Sequence, residues 1–215
     1  MQPTVAEVAD ALQRVLPELD ADGQRLSLAL YHRLAEGAPV AAADLAVELA
    51  MPRAEVQARL RAWPGVYYDP ERRVIGYWGL TIQPMTHRLR VNGRGLFTWC
   101  AWDTLFLPAL LGQPAEVGSV CRGSGDPVRL AVSPREIESA EPEGMAVSFI
   151  TPDPDAARAD VIANLCHYIH FFRSAEAAKP WLAQHPEGFL LTLAEAHEVG
   201  RRRNRARYPA MADLL

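Results

Sequence analysis

Lysine is all but missing from this chain: Lys179 stands alone beside 21 arginines in 215 residues. With alanine plentiful, that bias is a compositional habit and carries no functional weight. Long apolar runs are missing too, since no stretch approaches the roughly 18 apolar residues of a membrane span. Residues 1–20 include Glu7, Asp10 and Glu18, with neither a basic start nor an unbroken apolar centre. No signal peptide and no membrane partner are expected, and the expected location is the cytoplasm. Cysteine is scarce and odd in number, because Cys100, Cys121 and Cys166 cannot all pair; a disulfide framework is excluded. Their gaps of 21 and 45 residues argue against an ordinary structural zinc site. A phosphate-binding glycine loop with lysine and a Gly-x-Ser-x-Gly elbow are both absent. Positive charge is not in excess: 22 basic residues face 26 acidic ones, for a net charge of −4 with His neutral. That balance argues against nucleic acid as a partner, since its readers carry a basic footprint.

What remains is an ordinary globular composition, 49% apolar and 22% charged, long enough to bury a core without staples. The first third reads as helices. Thr4 and Glu7 form a capping-box signature, and Val5, Val8, Leu12 and Val15 recur at helical spacing up to Pro17. Further helices are predicted over about 24–35, 42–49 and, with Pro52 at its first position, 52–61. Val66–Tyr68 and Val74–Trp78 flank Asp69-Pro70-Glu71 as a hairpin. This order is that of a winged-helix module. Arg53, Gln57 and Arg61 share a helix face that could read DNA, but residues 1–80 hold 11 acids and 8 bases, and DNA affinity rests on neutralising phosphates. A cap or lid is the alternative.

Beyond Gln83 the pattern changes to short strands at 88–91, 117–121, 128–132 and 145–150. Helices are predicted at about 101–111, 155–165, 175–184 and 194–207, and Asn92-Gly93-Arg94-Gly95 reads as a hairpin turn. The expected fold class is α+β: a winged-helix-like helical module over 1–82, then an α+β domain over 83–215 with mainly antiparallel short sheets. The arginine run 201–203, with Arg205 and Arg207, reads as the solvated end of a helix.

Two contexts could carry chemistry. In Thr98-Trp99-Cys100-Ala101-Trp102-Asp103-Thr104, a helical turn would set the Cys100 thiol and the Asp103 carboxylate on one face, able to share a proton. An Asp among Phe97, Trp99, Trp102 and Phe106 tends to a raised pKa; the plain alternative is a helix cap or a solvent-facing Asp. In Cys166-His167-Tyr168-Ile169-His170-Phe171-Phe172, a thiol and two imidazoles sit in an aromatic run. Each thiol could equally be a small core residue. A Cys–His hydrolase fits the residue types, yet nothing supplies its oxyanion site.

The segment from Leu96 to Gly112, Leu-Phe-Thr-Trp-Cys-Ala-Trp-Asp-Thr-Leu-Phe-Leu-Pro-Ala-Leu-Leu-Gly, resembles the signature of the organomercurial (alkylmercury) lyases. The resemblance continues through Cys121, Gly125-Asp126-Pro127-Val128, Val132-Ser133-Pro134, and Cys166 with His170-Phe171-Phe172, covering roughly 85–208. It implies that Cys100 and Cys166 are the catalytic thiols and Asp103 the catalytic carboxylate, all three holding mercury as substrate and product. Cys121, Trp102 and His170 are implied to be supporting. The implied activity is protonolysis of a carbon–mercury bond, with no cofactor required and Hg(II) retained as product. Implied partners are the organomercurial itself and, as mercury acceptors, cellular thiols and a mercuric reductase. Trp102 stands where relatives carry a smaller aliphatic residue, and His167 where some carry Cys, which bears on substrate range. The rival readings are a winged-helix metal-responsive regulator and a mercury-sequestering protein without cleavage.

Overall fold

A computed structural model describes residues 2–209; Met1 and 210–215, the outer ends of the two expected domains, lie outside the described residues. The class is α+β. Four helices come first: α1 (Val5–Gln13), α2 (Ala21–Ala35), α3 (Ala42–Leu49) and α4 (Arg53–Ala62). The Thr4–Glu7 capping box forms as expected. Helix α2 begins three residues before its expected start, because Asp20 caps it through Gly23 N–H. Pro52 is the residue before α4 rather than its first helical residue.

One sheet then dominates. It holds β1 (Val66–Tyr68), β2 (Val74–Tyr77), β3 (Leu80–Thr81), β4 (His87–Val91), β5 (Arg94–Thr98), β6 (Ala115–Val120), β7 (Pro127–Val132) and β8 (Ile137–Glu141). Their order is β1-β2-β3-β5-β4-β6-β7-β8, antiparallel throughout. The sheet therefore runs without a break through the expected boundary near residue 82, joined there by β3 on β5. A second, three-stranded antiparallel sheet has β9 (Ala146–Ile150) between β10 (Phe171–Phe172) and β11 (Gly188–Thr192).

Strands β3, β5, β8, β10 and β11 go beyond the sequence reading. Strand β5 hides because Asn92-Gly93 is itself the two-residue turn, with both φ angles positive. Its pairing partner thus follows at once.

Helix α5 (Asp103–Leu111) is buried at all nine positions and packs on α2, α9 (Leu193–Arg207) and β7. A helix apolar on every side belongs in the middle of a core. The single helix expected over 155–165 is instead α6 (Pro154–Ala159) and α7 (Val161–Asn164). Asp160 separates them: its backbone is extended and its carboxylate caps Ile162 and Ala163 N–H. A 3₁₀ turn, Cys166–Tyr168, follows, and α8 (Ala175–Gln184) matches its expected span.

The arginine run is corrected in part. Arg202 and Arg205 face solvent, whereas Arg203 and Arg207 are only 2% and 6% exposed. They continue the buried stripe Ala196, Val199, Gly200 of α9, which α1 and α5 cover.

Candidate active site

Strand β5 delivers Cys100 and the start of α5 delivers Asp103. The two meet differently from the helical-turn expectation, because Cys100 sits in the turn before the helix. The Cys100 N–H donates to Asp103 Oδ2 at 2.8 Å, so the carboxylate reaches back over the turn. Thr98 and Thr104 hold this turn from both sides, donating to the carbonyls of Cys100 (2.9 Å) and Ala101 (2.7 Å). Cys166 comes from the 3₁₀ turn, 66 residues on. A backbone bond from Ala101 N–H to the Ile169 carbonyl, 3.2 Å, ties the two segments together. Ligand atoms of Cys100, Asp103 and Cys166 all lie within 4.8 Å of one another, and all three side chains are buried.

A fourth element, the β2–β3 pair, completes the nest. Trp78-Gly79 is the turn between β2 and β3, with φ of 33° and 101°. A Cβ on Gly79 would stand 2.6 Å from both Cγ and Oδ1 of Asp103. Glycine is thus required here twice, once by its φ and once by the acid pressed against it. The sequence reading missed Gly79; its signal is a Trp-Gly pair between two short apolar runs.

The three groups line a cavity with Trp78, Trp99, Trp102 and Phe106. Leu12 of α1 and Val15 and Leu16 of the turn after it close the cavity. Its volume of about 20 Å³ leaves room for about one water. Trp102 is anchored there, its Nε1–H donating to the Ala196 carbonyl at 3.0 Å.

Burial sets the electrostatics. It pushes the Asp103 carboxyl up to about 6 against hydrogen bonds from Cys100 and the charge of Arg203, both of which pull it down. It also raises the Cys100 thiol well above its usual range, helped by the neighbouring thiol and acid. For Cys166 the hydrogen bond from Cys100 pulls downward, but burial and Asp103 outweigh it and leave the thiol raised. Arg203 borders the same cavity, its guanidinium 4.4 Å from the Phe106 ring centre and 2.9 Å from Asn204 Oδ1. Sequence reasoning missed it by taking the arginine run as solvated.

The other expected residues lie farther out. Cys121 is buried; its sulfur accepts the Arg173 N–H at 3.3 Å. The Arg122 N–H donates to the Phe171 carbonyl at 2.8 Å, so this turn is pinned to β10. His170 donates its backbone N–H to Ser148 Oγ at 3.0 Å, and burial lowers its imidazole to about 4, so the ring is neutral at pH 7. His167 is exposed.

A family model described as alkylmercury lyase (MerB) matches residues 80–203. A curated alkylmercury lyase of Staphylococcus epidermidis is 45% identical over 172 residues, which is 80% of this chain and 78% of that protein. The chain belongs to the alkylmercury lyase family. Another family member, from Streptomyces lividans, is 41% identical over the same shares, 80% and 78%. Among solved structures, the mercury-bound form of MerB2 superposes with a TM-score of 0.78 at 24% identity, over 92% of this chain and 97% of that one. Cys100, Asp103, Cys166 and Arg203 all fall inside the segment matched by the family model.

Proposed function

We propose that this alkylmercury lyase family member is an enzyme that cleaves carbon–mercury bonds by protonolysis, R–Hg–X + H⁺ giving R–H, Hg(II) and X⁻. One observation carries the reading beyond family membership: two thiols and a buried carboxyl converge within 4.8 Å. Soft sulfur is the natural ligand of a soft, polarisable metal. One thiolate displaces the ligand X and captures the metal. Asp103 takes the proton of the other thiol, whose sulfur then also bonds mercury. A second sulfur donor pushes electron density onto the carbon. Asp103 then hands over its proton, the Hg–C bond breaks, and R–H leaves. Mercury remains on Cys100 and Cys166, with the Asp103 carboxylate beside it.

The environment suits each step. A carboxyl with a pKa near 6 is ionised at neutral pH yet acidic enough to return its proton, the condition an efficient shuttle needs. A cavity with space for about one water keeps that proton from leaking to solvent. Trp99, Trp102 and Phe106 give the organic group an apolar wall. Cys121 and His170 act at a distance, by fixing the turn beside β10 and the segment after Cys166. Mercury arrives with the substrate, so the reading assigns no cofactor. External thiols, and a mercuric reductase, are the proposed acceptors of Hg(II). For residues 1–82 we propose a winged-helix-like cap, because α1 forms one wall of the cavity; the cytoplasm, with its thiol pool, is the proposed location.

Incubation with phenylmercury and excess thiol should release benzene, measured by gas chromatography. Stoichiometric mercury binding with no hydrocarbon above the thiol-only blank would replace this reading with sequestration.

A further inference from the structure

Two cavities meet at Cys166. The first is the small space under α1 already described. The second is a cleft of about 510 Å³, walled by Met85, His87, Cys121, Arg122, Asp160 and His167, with Cys166 at its inner end. The inner cavity has about 20 Å³. Cys166 and Trp99 border both spaces, whereas Cys100 and Asp103 border only the inner one. Trp99 stands as a partition, braced by an edge contact from Tyr67 with ring centres 5.1 Å apart. The Tyr67 hydroxyl in turn donates to Asp160 Oδ1 at 3.4 Å.

In a cell rich in thiols an organomercurial travels as R–Hg–SR′. That adduct is far larger than one water, so the inner cavity as it stands cannot admit it. The cleft can. We propose that the substrate enters through this cleft as its thiol adduct, so that Cys166 captures the metal first and Cys100 completes the pair. This rests on the lyase reading and adds direction to it.

The order fixes each transfer. The Cys166 sulfur bonds mercury as the bond from mercury to the carrier sulfur breaks, and the Cys166 proton leaves with the carrier as R′SH. The metal swings inward past Trp99. The Cys100 sulfur bonds it, and the Cys100 proton moves to Asp103, whose carboxylate already holds the Cys100 N–H. Asp103 protonates the carbon as the Hg–C bond breaks. Cys166 is also the thiol that carrier thiols reach first when they strip Hg(II) from the pair.

The test is pulse labelling of the full-length protein with substoichiometric N-ethylmaleimide, followed by digestion and peptide mass spectrometry. Cys166 should label at least about tenfold faster than Cys100, since thiol reactivity depends on access. Equal labelling, or Cys100 first, overturns the proposal and places the entrance under α1. Ala163→Trp, at an exposed position on the cleft wall, should slow Cys166 labelling severalfold with all three cysteines intact; an unchanged rate overturns the proposal too. Labelling reports access whether or not hydrocarbon forms. A protein that labels first at Cys166 yet releases no benzene would therefore sink the lyase reading alone.

Discussion

Under the proposed mechanism Asp103 carries opposing demands: it must ionise to accept a thiol proton, yet it is buried beside the two sulfurs proposed to bind metal. Asp103→Ala should still bind mercury at both thiols while hydrocarbon release slows by roughly 10²–10⁴-fold, the usual worth of a positioned acid–base group. Cys100→Ser and Cys166→Ser should each abolish release, because one sulfur can bind but cannot activate. Stability follows the acid as well. Its pKa is raised by burial from the ordinary 3.8 to about 6, so the folded state binds this proton more tightly than the unfolded state does. The stabilisation is full below the ordinary value and is lost as pH climbs through about 6. Asp103→Asn keeps an acceptor for the Cys100 N–H and should be more stable than wild type at pH 8, by up to about 3 kcal/mol in urea unfolding; at pH 3 the two should match. Arg203 pulls the other way, its charge lowering the Asp103 pKa. Arg203→Met should move the acidic limb of the cleavage pH profile upward. The two thiols and the acid were legible in the sequence through one motif and a distant Cys. Arg203 was not, because a run of arginines at a helix end reads as solvated unless its register with Ala196, Val199 and Gly200 is followed.

At the scale of elements, the site depends on how closely backbones approach. The β2–β3 turn brings Gly79 against the Asp103 carboxylate, and Gly79→Ala would add a carbon 2.6 Å from it at a φ of 101°. Backbone strain of this kind alone costs about 1–3 kcal/mol. The variant should lose that much or more in thermal unfolding, and its benzene release should fall further than its mercury binding. Helices α3 and α8 were legible to the residue, α3 from apolar spacing alone and α8 with Ser174 as its cap. Helix α1 starts at its capping box but ends at Gln13, short of the expected Pro17. Strands β8 and β11 were not. The first, Ile137–Glu141, runs along the sheet edge with two glutamates, so alternation is faint. Gly188–Thr192 is mostly half-buried, without a clear in–out alternation, and tertiary pairing with β9 decides its state. The 155–165 helix was misread because Asp160, a residue as suited to capping as to a helix surface, caps in place.

Over the whole molecule, composition separated two regions near residue 82, one helical and one rich in strands. Hydrogen bonding joins them. Strand β3 pairs with β2 on one side and β5 on the other, while α1 lies on α9 at the far end of the chain. Thermal unfolding followed by tyrosine and tryptophan fluorescence, and separately by far-ultraviolet circular dichroism, should give one coincident transition; two resolved steps would mean that the helical third melts by itself. The junction also bears on any attempt to shorten the protein. Severed between Thr81 and Gln83, the remaining piece would keep both mercury-seeking sulfurs but bare a row of unanswered amides and carbonyls along β5. Such a raw margin recruits strands from neighbouring copies. The product would be an aggregate that soaks up metal, not a smaller catalyst.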